Sequence, residues 1–175
     1  NKDFGADGPT VEAGLEERAE GLRKDDAQNV LTFVSNHWTL EYDLARTGLA
    51  SMVFTAAMLA NSHDKICDGS KAQGEVLAEA EEGFAKLWAE CEKDEELTAI
   101  HVYQLFTSKK ASKAIAAQYL AAAIDIEAAR EGFDAAAFEA RLPTYLVDAI
   151  KHASGHTPLA DPPAEAQPVA AAAAQ

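Results

Sequence analysis

Residues 27–62 read AQNVLTFVSNHWTLEYDLARTGLASMVFTAAMLANS, and this stretch decides the fold. Leu31, Val34, Trp38, Tyr42, Ala45, Leu49, Val53, Ala56 and Ala60 recur at three or four residues, the spacing that lines up side chains on one face of an α-helix. The pattern predicts a helical segment that Asp25 or Asp26 can cap, with a core built on Leu31, Val34, Trp38, Leu49, Met52, Val53 and Leu59. Unbroken, it would run for about 54 Å, longer than the roughly 40 Å diameter of a globule of this size, so a break is expected near Ser35 and Asn36 or at Gly48. Thr47 to His63 carries no formal charge. That run stops short of the ~20 apolar residues a membrane span needs, and its Thr, Ser and Asn content suits a buried central helix. Ala45, Gly48, Ala56 and Ala60 are small enough for a neighbouring helix to approach closely.

On the N-terminal side, a weak helix is expected after Pro9 and Thr10, since Gly14 and Gly21 each cost about 1 kcal/mol relative to Ala. On the C-terminal side, HDKICDGS (63–70) reads as a turn, and Ser70 with Gln73 forms a capping-box pair that opens a helix whose inner face carries Leu77, Ala80, Phe84, Leu87, Trp88 and Cys91. Asp94 can cap the next helix. TAIHVYQLF (98–106) contains strand-forming residue types but has no second strand to pair with, so it too is assigned to helix. An Ala-rich helix over 109–130 ends at Gly132, Asp134 caps another with Phe133 and Phe138 placed as a hydrophobic staple, and Pro143 restarts the chain in a last helix closed by Gly155. The fold class is therefore all-α, a single compact bundle of five to six helices with flexible N- and C-terminal ends: residues 1–8 as a flexible N-terminus, 9–157 as the helical domain, and 158–175 as a Pro/Ala-rich disordered tail.

Of 175 residues, 29 are acidic and 15 basic, a net charge of −14. Such an excess repels phosphate backbones and anionic lipids, which argues against direct nucleic-acid or membrane-surface binding and leaves basic proteins as partners. Residues 75–96 hold nine carboxylates against two lysines, half of the net charge. Glu75, Glu79, Glu82 and Glu90 in that segment are the candidate partner-binding residues, because aligned carboxylates focus a negative potential and speed encounter with a basic surface.

Chemistry-bearing motifs are sparse. There is no Gly-rich phosphate loop, Gly-x-Ser-x-Gly elbow, His-Glu-x-x-His or Glu-x-x-His, so no cofactor and no metal site is assigned. His37 and Glu41 are four apart and would share a helical face, with His101 as a conceivable third ligand; together with Tyr103 and Tyr119 they form the candidate ligand-binding set of an Ala-lined pocket. Cys67 stands among His63, Asp64 and Asp68, whose carboxylates make it a poor nucleophile, and Cys91 falls on an apolar stripe. The leading expectation is a non-catalytic protein-interaction module, a regulator, inhibitor or assembly component, using its acidic helical surface. The alternatives are a small-molecule- or metal-binding bundle, conceivably enzymatic, and an acidic nucleic-acid mimic. A homodimer fits an Ala-rich helix surface. Cytoplasmic localisation is favoured unless a leader preceded Asn1.

Overall fold

The computed structural model describes residues 4–5, 8–9, 12–24, 26, 30–35, 37–107 and 111–155. The expectation for the tail at 158–175 lies outside these residues, as does most of that for 1–8. Phe4–Gly5 (β1) and Gly8–Pro9 (β2) form a two-residue antiparallel pairing. The rest is an all-α bundle: α1 (Glu12–Arg23), α2 (Leu40–Leu44), α3 (Ala50–Asn61), α4 (His63–Cys67), α5 (Gln73–Glu90), α6 (Glu95–Thr107), α7 (Lys113–Ala128), α8 (Ala135–Glu139) and α9 (Thr144–Ala153). Six of these have ten residues or more, and α2, α4 and α8 are one-turn pieces between them. No helix among the described residues is long and apolar enough to cross a membrane.

The central helix is α3, which packs on α5, α6 and α7. Its Ala56, Ala57 and Ala60 are buried and let α7 lie close along it, as the small residues of the segment foretold. Leu49, Val53, Val102 and Tyr103 complete the interior, and the 98–106 segment is indeed a buried helix. Tyr42 is also fully enclosed, its phenol pushed up to about 12 by burial, with the charge of Glu96 acting in the same direction.

The long second segment differs from its periodicity. The helix begins at Leu40, and the described residues before it, 30–35 and 37–39, form a non-helical strap. Leu31 is exposed and Val34 only half-buried, so they are not the core residues their spacing implied, whereas Trp38, half-buried, packs against the core. Ser35 accounts for the break: its Oγ accepts the amides of His37 at 3.1 Å and Trp38 at 3.0 Å, a local turn that competes with helix formation. The β-branched Val30, Thr32 and Val34 add to the bias against helix. A second irregularity falls at Gly48, where φ is +109° and the chain makes a π-helical turn, Ala45–Leu49, between α2 and α3. Only glycine adopts that backbone without strain.

Two further expectations are corrected. Ser70 and Gln73 do not form a capping box: α5 starts at Gln73, Glu75 reaches back to the Ala72 amide at 3.2 Å, and the Ser70 hydroxyl instead donates to the Lys65 carbonyl at 3.3 Å. HDKICDGS contains the one-turn helix α4 before its turn. On α5 the buried positions are Val76 and Ala80, whereas Leu77 is 42% exposed. Asp26 caps no helix, since the second segment turns helical only at Leu40 after Thr39, but the Asp94 and Asp134 caps behave as read: Asp94 accepts from the Leu97 amide at 2.7 Å, Asp134 accepts from Ala136 and Ala137 at 3.0 Å each, and the Phe133 and Phe138 rings lie 5.7 Å apart.

Candidate functional site: a groove over the central helix

Because α5 and α7 pack on α3 rather than on one another, they leave a groove with α3 as its floor. The cavity is about 460 Å³. Met52, Ala56 and Leu59 form the floor, Leu77 rises from α5, and Tyr119, Ala122, Ala123 and Ile126 line the α7 wall. Leu77 and Ile126 stand on opposite rims at 42% and 64% exposure, so two large apolar side chains face water across one opening. That is where an apolar face of a ligand or partner gains most by displacing water. Arg130 and Arg141 close one end. Both are engaged: Arg130 pairs with Glu127 at 2.7 Å, and Arg141 donates through Nε and Nη2 to the Gly48 carbonyl at 3.2 and 2.9 Å.

The residues expected to bind ligand do not come together. His37 precedes the helix rather than sharing a face with Glu41, and its Nε2 lies 3.1 Å from Arg46 Nη1. Glu41, on α2, pairs with Lys113 at 3.0 Å, and the same ammonium sits 5.4 Å from the centre of the Tyr103 ring. Glu41 and Tyr103 are thus joined through a lysine that sequence spacing did not flag. His101 is exposed on α6, and Tyr119 bonds His63 Nδ1 at 3.1 Å. No group of three His, Cys, Asp or Glu side chains among the described residues is placed to share a metal ion. Tyr119 alone of the five lines the groove.

Exposed Cys67 lies at this end, its Sγ 3.6 Å from His63 Nε2 and 3.9 Å from Nδ1. Among the acidic residues, Glu79 pairs with Lys71 at 2.6 Å and Glu75 serves the start of α5, while Glu82 and Glu90 are exposed.

A buried polar contact, absent from the sequence reading, ties the strap to α2. Asp43 is 2% exposed; its Oδ2 accepts a short hydrogen bond from the Ser35 hydroxyl, and its Oδ1 is buried with no hydrogen-bond partner among the described residues. Burial pushes its carboxyl above the usual range, opposed by Ser35, the nearby His37, Tyr145 and the Trp38 amide. The Tyr145 phenol is in turn pushed up by burial and by Asp43. Asp43 falls on the helical stripe's flank beside Tyr42, and nothing in its spacing distinguishes it from a solvated carboxylate.

Set against protein-family models, curated proteins and solved structures, the chain matches none.

Proposed function

We propose that this protein is a non-catalytic interaction module that receives an amphipathic, basic helix of another protein in the α3/α5/α7 groove. The observation that carries the reading is the pair Leu77 and Ile126, exposed on facing rims of a cavity with an apolar floor. A helix with anchors at i, i+3, i+4 and i+7 lays its apolar stripe in such a groove. The acidic surface supplies the charge preference. Glu79, Glu81 and Glu82 stand on the outer turns of α5 next to Leu77, in a chain of net charge −14, and they favour lysines and arginines on the flanks of the incoming helix. A second reading, a small apolar ligand, draws on the cavity volume and on Tyr119, whose hydroxyl gives the wall one polar group.

The test uses a synthetic Leu/Lys helix with period-3.6 leucines, titrated into the full chain by fluorescence anisotropy. Saturable binding that weakens as salt is raised, and that is abolished by Leu77→Glu with Ile126→Glu, is the expected result. Leu97→Glu, an exposed leucine beside the acidic turn between α5 and α6, should leave it unchanged. Undiminished binding by the Leu77/Ile126 variant refutes the reading. Salt-independent binding limited to a small neutral apolar probe favours the second.

A further inference from the structure

Cys67, His63 and Tyr119 form a cluster of which the groove uses only the tyrosine. His63 and Cys67 open and close the one-turn helix α4, four residues apart and so on one face. Cys67 is exposed, and its Sγ lies 3.6 Å from His63 Nε2 and 3.9 Å from Nδ1. The half-buried His63 ring is held from α7: Nδ1 is 3.1 Å from the Tyr119 hydroxyl, and the two rings meet edge to face at 72° with 5.9 Å between centroids. When Nδ1–H donates to the phenol oxygen, the lone pair of the ring is on Nε2, the nitrogen nearer the sulfur. A thiol, a base and a group that orients the base thus follow one another, the arrangement that activates a nucleophile. Tyr119 also lines the groove, so the cluster borders a cavity of about 460 Å³.

We propose that Cys67 is a thiol–disulfide exchange site for cationic disulfides of low molecular mass, with His63 as its base and Tyr119 positioning the imidazole. The Cys67 proton passes to His63 Nε2, and the sulfur attacks one sulfur of the disulfide. A bond from Cys67 to that sulfur forms as the disulfide's own S–S bond breaks, and the departing half leaves as a thiol with the proton that His63 held. One thiol and one disulfide give one mixed disulfide and one thiol, so no other oxidant enters. The charge preference comes from Asp64, three residues before Cys67 on the same face of α4, and from Asp68 next to it, in a chain of net charge −14. Lys65, two residues from Cys67, projects from another face of the turn. The carboxylates alone make Cys67 a poor nucleophile, and the imidazole offsets them. Cys91, 2% exposed, is out of reach of such a reagent. This chemistry is independent of what the groove binds.

Intact mass of the full chain, followed over time with cystamine at pH 7, gives the rate. Wild type should take up a single cysteamine and Cys67→Ser none; an adduct that forms as fast in Cys67→Ser overturns the site. His63→Gln can still hydrogen-bond the Tyr119 hydroxyl but is no base. It should slow the reaction roughly tenfold, within the ceiling of about thirtyfold for an unassisted thiol that is a few per cent ionised at pH 7. His63→Ala should slow it likewise, with free imidazole restoring part of the rate, and an unchanged rate in both variants overturns the base. Measured against the urea-unfolded chain with the same reagent, cystamine should outpace anionic glutathione disulfide, by a margin that shrinks as salt is raised. Equal or reversed rates overturn the cationic class. Tyr119→Phe keeps the ring and removes the hydroxyl. Nitrogen-15 shifts of neutral His63 should show the proton on Nδ1 in wild type and a mixture of tautomers in Tyr119→Phe, with slower exchange at Cys67. A proton on Nε2 in wild type, or a variant with unchanged shifts and rate, overturns the positioning role of Tyr119.

Discussion

Replacing Asp43 separates what its charge does from what its shape does. Asp43→Ala strands the Ser35 hydroxyl that now donates to the carboxylate. A buried donor left without an acceptor costs about 1–3 kcal/mol, and the alanine variant should lose roughly that much. Asp43→Asn keeps the volume and one acceptor oxygen while removing a charge that burial penalises, and near neutral pH its stability should lie within about 1 kcal/mol of wild type. The pH dependence carries the sharper sign. Because the folded carboxyl is raised above its usual value of 3.8, the folded chain binds this proton more tightly than the unfolded chain does. The resulting stabilisation is fully present below 3.8 and is lost as pH rises through the folded value. Wild type should therefore gain on Asp43→Asn as pH falls toward 3.8. Urea titrations of both proteins from pH 7 downward give the difference directly, with the titration of every other carboxylate common to the two curves. A difference that moves the other way, wild type losing ground in acid, would mean that Ser35 and Tyr145 hold the carboxyl below its ordinary value, and the account of Asp43 would be wrong.

Gly48→Ala should destabilise by roughly 1–3 kcal/mol in the same titrations, because φ of +109° strains any other residue and the new Cβ would sit 3.4 Å from Arg141 Cγ; an unchanged midpoint would remove the π-turn's demand for glycine. Trp88→Ala, at a half-buried site where the indole stacks on Phe84 with 6.4 Å between ring centroids, should cost about 2 kcal/mol, less than a fully enclosed tryptophan, and a loss near zero would show the ring to be dispensable to the bundle. A maleimide should modify exposed Cys67 in the native protein and reach Cys91, 2% exposed, only after unfolding, as read by intact mass; rapid double labelling would contradict the burial of the α5 C-terminus.

By itself the sequence determined the helical class, most helix ends and the charge. These are local properties: Asp94 and Asp134 satisfy amides two or three residues away, Phe133 meets Phe138 within one turn, and nine carboxylates within 75–96 need no partner to make that stretch acidic. What it misassigned depends on neighbours distant in the chain. The apolar stripe from Leu31 to Ala60 is continuous on paper, but Ser35 turns its own segment back on itself and finds its acceptor on Asp43, a choice that competes with helix only when the carboxylate is there to receive it. Leu77 and Val76 are adjacent and equally apolar, and only the placement of α5 against α3 buries one and leaves the other on a rim. The five candidate ligand residues scattered because their partners, Arg46, Lys113 and His63, could not be told from ordinary surface residues before the helices packed. The groove and the burial of the Asp43 carboxylate are products of the relative positions of α2, α3, α5 and α7. Such positions are set by long-range burial, whose free energy depends on which surfaces meet rather than on the order of residues along one helix.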